Sequence, residues 1–597
     1  LMDEKAHRNN AKLTPEEMKI FEKEVEAAKV KEIRNYLLYG ATEAKLRTGQ
    51  EWNVIDGIWV ITFKWTAEGW AVKARLVLRG YQDRQGADVL KYAPTASRAT
   101  QRLVVSQTAL HYEWLLVSFD ISAAFLRGIP VNQARTKQGS ERKAWCKPPS
   151  DVWRILRMLE EATGMQLPAV GAEGHWLWKL LKAVYGLDDA PLLWREEFIR
   201  VLVELAGYVV SRNDPCLLYF RNEKGKGQVV VRRGPLKGLL SMHLDDEGLG
   251  AEPWVIDFTE RILNESFPTV KKQLPPLRHI GHDYLAIEDE EGGYETDIEH
   301  YSSAIKPIVV PKGPKTRLLT KEEGEELMRL NGEMSYSLTG RPDAMGRVVM
   351  SQQNVNGDWC VAHLDEANRA LQDIQDPGRY KRLTYRPLYE DYLKLVVVAD
   401  AAMRKKESKY AQLCNHVYLQ EVLPPAQLGG RIHVIDYRSK KATRVSNYSS
   451  MKAELLGQNR GSELAQRYSG WLYELYEGIE SAWELIDAKC RFPVCLVGDA
   501  DDIFLTLQCD KPYSGSDDSV CSYLEALRED IKEGRIDQYF WVPTTSMSAD
   551  GGSKNRSNDL MARIMREGAW YPESYKMLTR NPEGSGLMTS SSDGNAW

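Results

Sequence analysis

Long apolar runs are missing from this chain. No stretch approaches the roughly 18 uninterrupted apolar residues of a membrane span, and the opening LMDEKAHRNN lacks a signal-peptide core. The expectation is an intracellular protein with no membrane partner. Cysteine is scarce and scattered: among 8 cysteines the closest pair, Cys490 and Cys495, lacks the two-residue gap of zinc and redox motifs. Positive charge is not in excess either. With 79 Lys and Arg against 84 Asp and Glu there is no basic coat, so nucleic acid would have to be met by a localised groove. What is present is a globular composition, 43% hydrophobic and 27% charged, over 597 residues, enough for several domains with sizeable cores.

Thr14, Pro15 and Glu17 supply an N-cap, a first-turn proline and a capping-box acid, followed by Met18, Phe21, Val25 and Ile33 at helical spacing. This predicts an amphipathic leader helix. From Trp52 to Gly80 apolar and polar residues alternate, predicting a cation-rich β-ribbon turning at Glu68 and Gly69. The stretch Arg135 to Arg142 and the EDEEGG run near Asp289 read as solvated loops. A second α/β region opens near Tyr392 with LKLVVVAD and extends to Asn558. The Ser- and Gly-rich tail after Thr579 has no apolar period and is expected to be disordered.

Two acidic constellations stand out. WLLVSF runs into Asp120, and GLLSMHLDDEGLG runs into Asp245 and Asp246, so carboxylates end two apolar strands. Adjacent acids are more often solvated turn residues. Leu187, Asp188 and Asp189 show this, because they repeat the tripeptide in a loop before Ala190 and Pro191. Three acids brought together are what two-metal phosphoryl transfer needs, since hard Mg2+ ions, two per site, prefer carboxylate oxygens. Mn2+ could replace them. Asp120 and Asp245 would bridge the ions. In the second region Asp400 ends a strand, Glu454 falls in a helix, Asp499 ends a strand and Asp550 lies in TSMSADGGSK. Each alone would be an ordinary surface acid; their order suggests another metal site.

Taken in order, VKARLVLRGYQD, FDISAAFLRG, LLKAVYGLDDAPLLW and MHLDDEGL resemble the successive blocks of copia-type retrotransposon polyproteins in their reverse transcriptase region. SSMKAE and SMSADGGSK resemble the ribonuclease H domain that follows it. The likeness, including Trp52, RHIGHDYL and TGRPD around Arg341, runs from Pro15 to Asp550.

The resemblance implies a multidomain fold of mixed α+β and α/β classes. A right-hand polymerase of fingers, palm and thumb would precede a ribonuclease H-like α/β domain. Its expected parts are a helical leader (1–50), fingers and palm (51–290), a thumb or connection (291–390), the ribonuclease H-like domain (391–560) and a partly disordered tail (561–597). It makes Asp120, Asp245 and Asp246 the polymerase metal ligands, and Asp400, Glu454, Asp499 and Asp550 those of ribonuclease H. Phe125 matches the gate against a ribose 2′-hydroxyl; core packing is the competing reading. Gly186 and Pro191 match the loop under the template and nascent base pair. Lys73 and Arg75 match fingers cations for triphosphate oxygens, though a solvated strand face would look the same.

Implied partners are an RNA template, a DNA primer, the RNA·DNA hybrid, deoxynucleoside triphosphates and other polyprotein parts. Cytoplasmic virus-like particles and the nucleus are the implied places of work. No protease, zinc-knuckle or integrase signature is found.

Departures from the pattern are Asp188 and Asp189 for Lys and Gln, His243 and Leu244 for Tyr and Val on a short strand, and Ala401 and Ala402 for an acid and a tryptophan. The first places negative charge near the expected triphosphate. A decayed or repurposed element product that binds nucleic acid without catalysis is therefore the alternative. An RNA-directed RNA polymerase is disfavoured by Phe125. Arg404, Lys405 and Lys406 could hold the hybrid backbone or face solvent. His279, His282 and His300 read as structural or solvated rather than as a metal site. Separate acid sets, with the TGRPD segment between them, predict two independent activities.

Overall fold

The computed structural model describes residues 11–593, apart from 67–68, 135, 163, 226–228, 354–358, 404–409, 444–448, 487, 510–517 and 582–586. Glu68, Arg135, Arg404, Lys405 and Lys406 lie outside the described residues. The leader begins with the predicted capping box. Thr14 Oγ1 accepts the Glu17 N–H at 3.2 Å, and Glu17 accepts the Thr14 N–H at 2.8 Å, starting α1 (Pro15–Ile20). Phe21 breaks the helix, and α2 (Glu22–Leu38) continues with Val25 and Ile33 buried. Its partner is the predicted ribbon, β1 (Val54–Thr66) against β2 (Gly69–Leu78), paired from Gly57 opposite Leu78 to Thr66 opposite Gly69. Strands 42–46, 145–147 and 176–180 complete that five-stranded sheet.

Helix α3 (Arg98–Leu110) buries every residue from Ala99 to Leu110, polar ones included. One side faces a six-stranded sheet built around β3 (Leu115–Ile121), β4 (Gly238–His243) and β5 (Asp246–Ala251), with β5 between the other two. A helix between two layers has no solvent stripe, so its buried polar groups must find partners. Arg102 lies 4.1 Å from the Tyr437 ring centroid, and Ser106 hydrogen-bonds His433 at 2.9 Å. Beyond the middle sheet come α4 (Ala190–Arg200) and, further along, a four-stranded sheet with a helical cluster of α5 (Lys321–Ser337), α6 (Met345–Gln352) and α7 (Val361–Gln375).

The C-terminal region is an eight-stranded sheet. Antiparallel β6 (Leu393–Met403), β7 (Ala411–Glu421) and β8 (Gly430–Lys441) stand beside β9 (Val494–Gly498) and β10 (Gln538–Trp541), which run parallel to β6. Long helix α8 (Ser450–Glu477) crosses its face. Gly461 permits this, because a Cβ there would lie 2.7 Å from Leu496 and 2.8 Å from Ala399.

Three expectations are corrected. The tail is not uniformly disordered: β11 (Ser574–Arg580) pairs with β10, and β12 (Leu587–Asp593) pairs with β11, so the sheet runs past residue 560. The Arg135–Arg142 stretch is not all solvated surface, because Arg142 is 1% exposed. The TGRPD segment does not merely separate two regions: Asp343 O accepts the Asn558 N–H at 3.0 Å, which binds it to the C-terminal module. The EDEEGG loop is a loop, pinned by Arg386 to Asp289 at 2.6 Å.

Candidate functional site

Strand register alone assembles the first acids. In the β3–β5 pair Asp246 stands opposite Asp120, and the β4–β5 hairpin turns at Leu244 and Asp245. The Ile121 N–H donates to Asp245 O at 3.1 Å, so the three acids converge at one end of the sheet. Leu244 is not on the strand as expected. It occupies the turn at φ +61, a conformation costing about 1–3 kcal/mol, and Trp194 Nε1 holds its carbonyl at 2.6 Å. Burial, then the charges of Asp245 and Asp120, pushes Asp246 up to about 6. Asp245 is also raised, by burial first and by Asp120. Sequence reasoning missed Glu247, fully buried on the opposite face of β5, whose carboxyl is raised by burial and by both neighbouring acids.

The ribbon faces this cluster. Burial, followed by repulsion from Arg75 and Lys64, lowers the Lys73 ammonium to about 8, while Glu32 and Asp245 oppose the shift. Arg75 lies 5.4 Å from the Tyr185 ring centroid, and Tyr185 lies 5.5 Å from Phe125. Phe125 is half-buried at the seam of two cores, a placement that fits both its gate and packing readings. Gly186 does allow a close backbone approach, but to the ribbon. At φ +95, a Cβ would lie 2.1 Å from Leu78 O. Pro191 sits in the first turn of α4, where a missing N–H costs nothing.

The two extra acids of the loop are already engaged. Asp189 is 2% exposed and accepts Arg142 Nε at 2.8 Å; Arg142 also bonds Asp83 at 2.5 Å. Only Asp188, half-exposed beside Lys91 at 3.2 Å, carries charge at the surface.

The second set gathers more tightly. Ligand oxygens of Asp400, Asp499 and Asp550 lie within 4.8 Å of one another, and among the described residues no other group of three or more metal-ligating side chains does so. Asp400 lies within β6, Asp499 just past β9, and Asp550 starts the short helix α9 (Asp550–Ser553). Glu454, on α8, is outside that group but adjoins it, accepting the Ala401 N–H at 3.3 Å. Burial, then Asp499, raises Asp400 to about 6; burial, then Asp400 and Asp499, raises Glu454 to about 9. Crowded carboxyls that resist ionisation fit a divalent cation, which would stabilise their charged forms. Ser553 donates to Asp400, while Lys554 and Arg556 both hold Asp550. These cations went unnoticed in the sequence. Ala401 is buried among Ala411, Ala442, Ala453 and Leu456, filling space between helix and sheet.

The three histidines have separate surroundings. His282 bonds Thr339 at 2.8 Å, His300 bonds Asp283 at 3.1 Å, and buried His279 is held neutral, its pKa lowered to about 3.

No family model matches the chain. It is 25% identical over 304 residues to the retrovirus-related Pol polyprotein from transposon RE1 and 27% over 305 residues to that from transposon RE2, both of Arabidopsis thaliana. Each match covers 48% of this chain and 18% of the relative. The Pol polyprotein from transposon TNT 1-94 of Nicotiana tabacum is 25% identical over 198 residues, 30% of this chain and 12% of that one. The chain thus spans about a fifth of the length of the curated relatives it matches. Among solved structures, a foamy viral protease-reverse transcriptase in complex with double-stranded DNA aligns over 85% of this chain and 68% of its own. It is 12% identical with a TM-score of 0.43; one with an RNA/DNA hybrid gives 12% and 0.38 over 86% and 52%. No helix among the described residues is long and apolar enough to cross a membrane.

Proposed function

We propose that this relative of copia-type transposon Pol polyproteins is an RNA-directed DNA polymerase that also carries a ribonuclease H. The observation that carries the reading is the meeting of Asp120, Asp245 and Asp246 at one sheet end beneath a ribbon bearing Lys73 and Arg75. In this reading the parts are fingers (the ribbon), palm (β3 to β5), thumb and connection (α5 to α7) and a ribonuclease H-like module.

The three acids would hold two Mg2+ ions, which supply Lewis acidity toward an attacking 3′-hydroxyl and the leaving pyrophosphate. The chain's own groups do the rest. Lys73 and Arg75 neutralise the triphosphate of a bound deoxynucleotide, with Arg75 braced on Tyr185. Phe125, packed on the same ring, limits space at the sugar. In the second site Asp400, Glu454, Asp499 and Asp550 would hold ions that activate water against the RNA strand of a hybrid. The primer–template and the hybrid are the proposed partners.

A second reading has support of its own. Lys554 and Arg556 neutralise Asp550, and alanine replaces an acid at 401, as in a module that binds nucleic acid without cleaving it. Primer extension with Mg2+ separates the two. Incorporation by the wild type that Asp245→Asn lowers about 10³-fold, the loss of several kcal/mol of transition-state stabilisation, supports the polymerase. Hybrid binding without incorporation in the wild type supports the other reading.

A further inference from the structure

The cations on Asp550 belong to a short segment, 554–558, whose alternate side chains turn to opposite sides. Lys554 and Arg556 reach back to the two oxygens of Asp550. Asn555 and Ser557 reach the other way, to helix α7: Asn555 Nδ2 donates to Glu366 at 2.6 Å, and Ser557 Oγ donates to Asp373. The fifth residue, Asn558, is buried. Its N–H donates to Asp343 O, and its side-chain amide donates to Ser548 O at 2.7 Å.

The anchors are themselves fixed. Arg347 on α6 holds Asp373 at 3.1 Å, and Arg341 pairs in bidentate fashion with Asp343 at 2.8 Å while donating to the Asp373 carbonyl at 3.2 Å. Gly346 on α6 lies against the backbone of the acid-bearing turn; a Cβ there would stand 2.0 Å from Gly551 O and 2.4 Å from Lys554 O. A carboxylate whose neighbours are tied to a rigid helix loses little freedom when it ligates an ion. Partners one step removed from a metal ligand change affinity by about 10–100-fold for this reason.

We propose that Glu366 and Asp373 are positioning residues for the second acid site. Through segment 554–558 they fix where Asp550 stands, so helices preceding the C-terminal module complete that site. The proposal rests on reading the second acids as a divalent-metal site.

The test is a Mn2+ titration of the full chain followed by electron paramagnetic resonance, in an Asp245→Asn background that removes the first site. Asn555→Ala, a change at an exposed position, should weaken Mn2+ binding severalfold, and Glu366→Ala with Asp373→Ala should weaken it roughly tenfold or more. Glu366→Gln with Asp373→Asn keeps the acceptor oxygens and should restore most of the affinity. Unchanged affinity in both alanine variants would overturn the proposal. So would tighter binding, which would make the segment a restraint holding cations on Asp550. If the background protein shows no Mn2+ site that Asp400→Asn abolishes, the metal reading itself fails, and positioning with it.

Discussion

The two acid sites differ in how they are built. The first needs one strand and one hairpin: with Asp246 opposite Asp120 and Asp245 in the turn, register alone brings the carboxyls together, and the cations stand on a separate ribbon. The second draws on β6, β9, α8 and α9, and its cations bond directly to an acid. A site made by neighbouring strands is specified by their pairing, whereas one made by four elements depends on packing throughout the module. The modules also share a core. Helix α3 contributes Leu103, Val104 and Val105 to the cluster that holds Val396, Leu496 and Leu578.

Arg142→Ala tests whether the first site's surroundings depend on packing as well. It leaves Asp83 and Asp189 buried without their shared cation, and should lower stability by about 3–5 kcal/mol, measured by denaturant unfolding. A loss under 1 kcal/mol would mean that loop tolerates its acids unaided, and would reopen the question of charge beside the triphosphate.

The pH dependence sharpens the contrast. Glu454 binds its proton more tightly folded, near pH 9, than unfolded, near its ordinary 4.5, so ionising it destabilises the metal-free fold. The stabilisation is complete below about 4.5 and is lost as pH rises toward 9. Between pH 6.5 and 8 this one proton should lower stability by up to ~1.4 kcal/mol per pH unit, against the buried histidines, whose lowered folded pKa adds stability as pH rises through about 6.5. Glu454→Gln should remove this fall, so its stability relative to the wild type should rise with pH across the window. If wild type and variant share one slope, the second cluster does not hold a neutral Glu454. The first site's Asp246, near 6, contributes little in that window.

A smaller effect is expected at Phe125. Phe125→Ala should raise ribonucleotide incorporation relative to deoxyribonucleotide if the ring limits the sugar pocket. Unchanged discrimination with reduced stability would assign it to the seam between cores.

Local signals were legible in the chain. The Thr14 capping box and the alternating ribbon depend on residues close in sequence and stand where spacing predicts. The acids read as strand ends are displaced: Asp400 lies within β6, Asp245 in the hairpin turn, and Asp246 at the start of β5. What escaped depends on distant partners. Polar residues along Arg98–Leu110 hide a helix buried on all sides, because Arg102 finds Tyr437 and Ser106 finds His433. Arg142 looked like surface until Asp83 and Asp189 met it. The Ser-rich 587–593 segment lacks an apolar period, yet backbone pairing at a sheet edge makes it a strand. The TGRPD segment read as a divider, but its Asp343 carbonyl is joined to Asn558 of the second module.

In the proposed function one chain carries two chemically separate sites. The direct test assays primer extension and cleavage of the RNA strand in a preformed hybrid, with Mg2+, for the wild type, Asp120→Asn and Glu454→Gln. The wild type should do both, Asp120→Asn should only cleave, and Glu454→Gln should only extend. Loss of both activities from either substitution in a folded protein, or hybrid binding with neither activity in the wild type, would contradict it.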